Sequence, residues 1–354
     1  MIADTDGALL YTDAILSLRS GTLMPPVVEN RIVSRDEDGM RLDRWFKTHF
    51  PDLAFGHLQK LLRSGQVRVD GARVKTNDRL ADGQSIRVPP LPKADPATPG
   101  VKRSAQSLKD ADFIRSLILH EDKDVLVINK PHGLAVQGGS GTERHVDGML
   151  AALTGADGER PRLVHRLDRD TSGVLVLAKT RKAASDLGAI FRTRSARKIY
   201  WALVKGVPTP KQGRISLFLS KQLGIDGEKV RIMKHGDEEA VHSITYYSLV
   251  DRAANSVSWL SLKPVTGRTH QLRAHTAHIG HPIVGDPKYG EAMENIPEEL
   301  PKKLHLHARR ITLPHPRGGI LDVTAPLPPH MRQSFDILGF DTSSYDPIVD
   351  APED

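Results

Sequence analysis

The chain has 354 residues, 39% hydrophobic and 26% charged, with 50 Lys plus Arg against 43 Asp plus Glu and a formal net charge of +7. That length suggests two domains and enough chain for a sizeable core. The lack of cysteine excludes a disulfide framework, a thiol nucleophile and every Cys-ligated zinc or iron–sulfur site. The longest purely aliphatic run, residues 174–178, is far short of the roughly 20 needed to span a bilayer. Asp4 and Asp6 stand near the start without a basic leader region, which does not read as a signal peptide. A soluble, cytoplasmic protein with no membrane partner is the simplest expectation.

Residues 1–30 show no sustained periodicity and read as a disordered leader, with Met24 before Pro25-Pro26 a second candidate start. From Arg41 the pattern sharpens. Leu42, Trp45, Phe46, His49 and Phe50 recur at amphipathic-helix spacing, and Leu58, Leu61 and Leu62 mark a shorter second helix. Val67 and Val69 alternate with polar residues before Asp70-Gly71, a hairpin signal that predicts a return strand through Arg73-Val74-Lys75. Asp82-Gly83 precedes another alternating stretch with Ile86 and Val88. Residues 31–90 thus read as a small module of two helices and a basic hairpin. Trp45, Phe46 and Phe50 belong to its core rather than to a base-stacking surface. Pro89, Pro90, Pro92, Pro96 and Pro99 then forbid a helix interior or a central strand, so residues 91–111 are expected to be a stiff linker.

The second domain is expected over residues 112–336. Residues 124–128 read as a buried strand, Asn129-Lys130-Pro131-His132-Gly133 as a turn, and Gly138, Gly139 and Gly141 as a flexible loop. Two apolar segments, 163–167 and 174–178, flank a polar loop. A helix is predicted over 182–191 and strands over 199–204, 256–262 and 305–311. Strands outnumber helices, which predicts an α+β domain with a large sheet. Residues 337–354 are set apart as an acidic tail, five acids and no base from Asp341 onward.

The positive charge is concentrated. Residues 162–205 hold eleven Lys or Arg against three Asp, a local +8, and residues 60–79 hold six against two. Basic fields beside candidate motifs point to a polyanionic partner, nucleic acid. Within the first field, His165-Arg166-Leu167-Asp168-Arg169-Asp170-Thr171-Ser172-Gly173 crowds polar groups between two apolar strands. A carboxylate there would sit on rigid flanks among cations, which keep it ionised and nucleophilic. An isolated Asp in a turn is more often a cap, and composition does not choose between Asp168 and Asp170. Lys130 and Pro131 serve to shape their turn. Tyr200 by itself reads as a core tyrosine. His270, His275, His278 and His281 have spacings that tempt a zinc reading, but no nearby acids support it, and no metal is expected. His305 and His307 read as packing residues. The Gly138–Gly141 loop lacks the Lys-Ser/Thr ending of a phosphate loop.

At this point a resemblance becomes specific. His165-Arg166-Leu167-Asp168, two further residues, then Thr171-Ser172-Gly173 resembles the signature of the large ribosomal pseudouridine synthase family. Val127-Ile128-Asn129-Lys130-Pro131 resembles its first motif, Lys198-Ile199-Tyr200-Trp201-Ala202 its tyrosine motif, and the stretch from Pro264 through Thr266-Gly267-Arg268-Thr269-His270-Gln271-Leu272-Arg273-Ala274-His275 its last core motif. All four occur in the family's order. The N-terminal module resembles an S4 RNA-binding domain, and the likeness runs from residue 31 to about 335. The loop Gly133-Leu134-Ala135-Val136-Gln137-Gly138-Gly139 is similar to that of the C-type 23S ribosomal RNA enzyme, with Gln137 where that type more often has His.

The resemblance implies a catalytic domain with a large mixed, mainly antiparallel sheet. It makes Asp168 the nucleophile and Arg166 the residue that helps displace the target base. Tyr200 would lie against the uracil, Arg273 would pair with Asp168, and Leu272 would pack beside it. Arg63, Arg68, Arg73 and Lys75 become RNA-binding candidates. Uridine isomerisation breaks N1–C1′ and joins C5 to C1′, moving no electron or phosphate, so no cofactor is required. The implied partner is 23S ribosomal RNA, free or in a large-subunit assembly intermediate, met by a monomer as the default. Two rival readings are a non-catalytic RNA-binding assembly factor on the same fold and a glycoside hydrolase using Asp168 with Asp170. The second leaves the basic clusters unexplained.

Overall fold

The computed structural model describes residues 28–50, 53, 55–91, 105–138, 142, 144–155, 158–224, 227–290 and 296–352. Residues 1–27 of the expected leader and much of the proline-rich stretch lie outside the described residues, as do Gly139 and Gly141 of the expected glycine loop; Glu29 and Asn30, inside the expected leader 1–30, instead open a strand paired with Val88 and Arg87. The chain divides into two compact units between Lys102 and Arg103.

In the first unit, β1 (Glu29–Ile32), β2 (Arg68–Val69) and β3 (Ser85–Val88) form an antiparallel sheet in the order β1-β3-β2. It carries the helices α1 (Leu42–His49) and α2 (Phe55–Arg63). The two apolar stripes meet over the sheet, burying Trp45, Phe46, Leu58, Leu61, Val67 and Ile86, with Trp45 edge-on to Phe46 at 5.2 Å. Asp70 and Gly71 take positive φ, 48° and 78°, as the hairpin signal requires. The expected return strand does not form: only Ala72 bridges back to Val69. The backbone beyond it is engaged elsewhere. The Thr76 and Asp78 carbonyls accept the Asp43 and Leu42 amides, which open α1 and have no partner within the helix.

The second unit is built on one eleven-stranded sheet, β10-β9-β11-β12-β8-β13-β7-β5-β4, with β14 on β13 and β6 on β7. Its strands are β4 (Ile118–Glu121), β5 (Val125–Lys130), β6 (Arg162–Leu163), β7 (Ser172–Ala178), β8 (Arg197–Lys205), β9 (Gln212–Gly224), β10 (Gly227–Met233), β11 (Val241–Ala253), β12 (Val257–Pro264), β13 (Leu306–Pro314) and β14 (Ile320–Thr324). Its α-helices are α3 (Ala105–Ser116), α4 (Val146–Met149), α5 (Arg181–Arg192), α6 (Gln271–His278) and α7 (Pro329–Leu338). The fold is α+β. Every pairing is antiparallel except β13 with β7. β5 and β7 are covered on both faces, which explains their unbroken apolar runs. Val125, Val127, Val174 and Val176 face α5, whereas Leu126, Ile128, Leu175 and Leu177 face α3 and α4.

Two later boundaries also move. Helix α3 begins inside the expected linker 91–111, because Ala111 and Ile114 are buried. The expected acidic tail belongs to the second unit. Phe340 packs on Phe335 and Trp259, Ile348 is fully buried, and Lys263 Nζ donates to the Ala351 and Pro352 carbonyls. Asp346 Oδ2 accepts from Trp201 Nε1 at 3.0 Å and Ser261 Oγ at 2.7 Å. Asp346 holds buried donors, so a charge count misreads the segment as a solvated appendage.

Asp346→Ala strands a buried indole N–H and a buried hydroxyl. Stability should fall by about 2 kcal/mol, read as a lower urea midpoint at constant slope, while Asp346→Asn, which keeps an acceptor, should lose less than half of that.

Candidate active site

The loop between β6 and β7 is pinned along its length. At its start, His165 Nε2 accepts the Val176 amide at 2.8 Å and the ring stacks on Phe191 at 4.4 Å. Burial pushes this imidazole down to about 3, so it stays a neutral acceptor. At its middle, the Thr171 amide donates to the Asp168 carbonyl, and the Arg169 carbonyl accepts from the Gly133 amide. Lys130 is fully buried, and its Nζ donates to the carbonyls of Pro131, Leu134 and Arg169 at 3.0, 2.8 and 2.9 Å. Burial pulls its ammonium down to about 7 while Asp170 and Asp168 oppose the shift. Three acceptors match the three protons of the charged form. At its end, His307 Nε2 reaches the Ala325 carbonyl, so its Nδ1 accepts from the Ser172 hydroxyl at 2.9 Å.

Gly173 completes the frame. It sits where β7 runs parallel to β13, with φ 111°, and a Cβ there would lie 2.2 Å from the Ala308 carbonyl oxygen. No side chain fits, so two backbones meet in direct contact next to the polar loop. The loop therefore projects from a rigid sheet, and Asp168 enters a cavity of about 510 Å³.

That cavity gathers residues far apart in sequence. Arg166 and Asp168 come from the loop, Lys198 and Tyr200 from β8, and His270, Leu272 and Arg273 from the start of α6. Phe191, Arg192, Arg194, Arg268 and Leu306 complete much of the wall. Asp168 is about one-fifth exposed. Asp170 does not line the cavity; its carboxylate lies 3.4 Å from Arg169 Nε. Burial, and then the Asp168 charge, hold the Tyr200 phenol above its usual range, so it presents a neutral ring. Leu272 is buried among Ala202, Leu260 and Leu306, with Tyr200 packed against that cluster.

Arg273 corrects an expectation. It does not pair with Asp168. Its Nε and Nη2 donate to Asp286 Oδ2 and Oδ1 at 2.7 and 2.6 Å. The Asp286 side chain is fully buried and also accepts the Lys288 and Tyr289 amides at 2.8 and 3.2 Å. A dry carboxylate presenting both oxygens to a planar fork outcompetes a partly solvated one. The Arg273 guanidinium also lies 5.2 Å from the Tyr289 ring. Asp286 is placed by Gly285, φ 73°, where a Cβ would fall 2.0 Å from the Lys303 carbonyl oxygen.

The four histidines that tempted a zinc reading face separate partners. His270 meets Tyr289, His275 meets Ser243 and His281 meets the Lys205 carbonyl, while His278 lies at the end of α6. Among the described residues no group of three His, Cys, Asp or Glu is placed to hold a metal ion.

Comparison with known proteins agrees with this arrangement. The model for RNA pseudouridylate synthase matches residues 124–278. The mitochondrial RNA pseudouridine synthase 4 of Arabidopsis thaliana is 37% identical over 83% of this chain and 78% of its own length. Ribosomal large subunit pseudouridine synthase C of Escherichia coli K12 is 35% identical over 85% of this chain and 94% of its own. The solved structure of human RNA pseudouridylate synthase domain containing 4 superposes with a TM-score of 0.55 and 31% identity, covering 66% of this chain and 97% of that one. This chain belongs to the RNA pseudouridine synthase family. It is accordingly an isomerase, and the matched segment holds Arg166, Asp168, Tyr200, Leu272 and Arg273.

Sequence reasoning missed three residues of this synthase's site. His270 stands in the last core motif with no role beyond a rejected metal reading, and nothing local in the sequence marks Asp286 or Tyr289 as part of a site. Gly285-Asp286 is a local turn signal whose importance emerges only when α6 is folded against it.

Lys130→Met should leave the Pro131 and Leu134 carbonyls without their donor and the Arg169 carbonyl with the Gly133 amide alone. We expect a loss of about 3 kcal/mol, measured by denaturant unfolding, with reduced activity in the folded fraction as the Asp168 loop loosens.

Proposed function

We propose that this synthase isomerises uridine in large-subunit (23S) ribosomal RNA, with Asp168 as nucleophile and the target base extruded into the cavity. The observation that carries the reading is Asp168 in a wall shared with Tyr200 and Leu272. Several bacterial relatives are named ribosomal large subunit pseudouridine synthase C, which supports ribosomal RNA and the C-type choice of uridines.

The chemistry follows from the setting. A stacked base does not reach a recessed carboxylate, so the nucleotide is flipped at a cost of a few kcal/mol. Arg166, exposed at the rim, is suited to fill the vacated stack. Asp168 stabilises or traps the electron-poor C1′ as N1–C1′ breaks. The detached uracil turns against Tyr200 and Leu272, C5 joins C1′, the C5 proton leaves and N1 gains one. The apolar wall keeps water from the open sugar.

Replacing Asp168 with Asn preserves shape and removes the nucleophile. Pseudouridine formation should drop by more than about 10³-fold with the melting temperature unchanged. The readout is a pseudouridine map of ribosomal RNA from cells carrying either form. Undiminished conversion would exclude Asp168 and favour another carboxylate; a protein whose loss leaves the map intact would be an assembly factor.

We read the N-terminal unit as an S4-like RNA-binding module. Arg63, Arg73 and Lys75 are exposed and make no ion pair among the described residues. Arg68 instead donates to the Gly65 and Gly71 carbonyls, so it also braces the turn. Replacing Arg63, Arg73 and Lys75 with Gln should weaken RNA binding without unfolding the unit. It should also flatten the dependence of log K on log salt by about 0.7–0.9 for each phosphate that the variant no longer neutralises.

A further inference from the structure

His270 occupies the side of the cavity where Arg273 was expected. It precedes α6 in the left-handed region, φ 49°, a conformation that costs a residue with a side chain about 1 kcal/mol or more. Its ring is held on both edges. Nδ1 lies 3.0 Å from the Tyr289 hydroxyl, and Nε2 lies 4.0 Å from Asp168 Oδ2. The two rings meet edge-on, 5.7 Å between centroids at 84°. The Tyr289 oxygen is itself fixed, because it accepts the Val230 amide at 2.8 Å. Among the described residues the phenolic proton has no acceptor other than His270 Nδ1 and is directed there, and a neutral ring then carries its own proton on Nε2.

We infer that His270 is a positioning residue for Asp168: Tyr289 fixes Nδ1 as an acceptor, and the Nε2–H faces the Asp168 carboxylate and orients it. The inference rests on the reading of Asp168 as nucleophile. The division of labour has a physical sense. Asp286 already occupies the Arg273 fork, so among the described residues no guanidinium engages both Asp168 oxygens. A neutral N–H directs one oxygen and leaves the other for C1′. The 4.0 Å separation exceeds a hydrogen bond, and catalytic contacts of this kind shorten when substrate packs the site.

The charged and titratable groups facing His270 come from four segments. Asp168 on the loop and Glu228 on β10 favour its protonation; Arg273 on α6 and Lys288 beyond it oppose protonation, as does burial, the largest influence, and Tyr289 supplies the hydroxyl. The ring therefore stays neutral to below its ordinary range. Protonation in acid would place hydrogen on Nδ1, displace the Tyr289 proton and convert the contact to an ion pair.

The amide nitrogen of Gln reaches where Nε2 stands, and that of Asn reaches only as far as Nδ1. With an RNA substrate, His270→Asn should therefore lower kcat about tenfold, the rate equivalent of one oriented hydrogen bond, with KM changed less than about twofold. His270→Gln should recover most of that loss. The acid limb of wild-type kcat should lie below about pH 6.5, the ordinary histidine value, and move to lower pH in His270→Gln. Nitrogen-15 NMR of histidine-labelled protein, assigned with the same variants, should find the Nε2–H tautomer at His270 and a tautomer mixture in Tyr289→Phe. Equal losses in the Asn and Gln variants, or none in either, would overturn the inference. So would an Nδ1–H tautomer, which is visible without turnover. A correct tautomer in a protein inactive on uridine would instead sink the proposed reaction and leave the positioning contact standing.

Discussion

The buried pair of Arg273 and Asp286 is the interaction on which the site turns. Moving two charges out of water is costly, and attraction recovers that cost only when geometry and further hydrogen bonds are good. Here four donors converge on one carboxylate, two from the guanidinium and two from backbone amides. Removing either partner would leave a dry, unpaired charge, a penalty of about 3–5 kcal/mol. The pair joins α6 to the segment after Gly285 and so sets where Leu272 and His270 stand. It also leaves Asp168 without a guanidinium partner.

Asp168 is held by its backbone rather than by its side chain. The His165 ring, the Lys130 ammonium, the Gly133 amide and the Ser172–His307 bond all act on the loop and not on the carboxylate. The bare backbone contact at Gly173 ties that loop to β13, and β13 pairs with β8, which carries Tyr200 opposite Ala308. The Asp168 loop and the aromatic wall are thus referenced to the same strand. On the proposed reaction this arrangement suits the carboxylate, since a partner holding both of its oxygens would have to be displaced before it met C1′.

What was legible in the sequence follows from range. Residues 174–178 and 124–128 read as buried strands because burial on both faces leaves an unbroken apolar run. The two N-terminal helices showed in their leucine and aromatic stripes. Asp168, Tyr200 and Leu272 stood out because short motifs carry them, and the structure brings them to one cavity. Arg273 was found, yet its partner was not, because Asp286 is thirteen residues away and nothing local advertises a carboxylate that will be dry. The long hairpin of β9 and β10 and the edge strand β14 gave no clean alternation. The C-terminal segment was misjudged by its charge, since the value of Asp346 lies in Trp201 and Ser261, elements far upstream.

Charge separates affinity from chemistry in this molecule. Arg166, Arg192, Arg194 and Lys198 line the cavity, and none makes an ion pair among the described residues. Lys198 is held below its ordinary range by burial and by Arg194, so its ammonium gains from any anion brought beside it. On the proposed function, the phosphates of an RNA substrate would supply that compensation. The carboxylate stands in the field of these cations without being bound by any one of them. On the proposed reading its competence would rest on a balance: enough positive potential around it to hold RNA, and no single cation close enough to claim its oxygens.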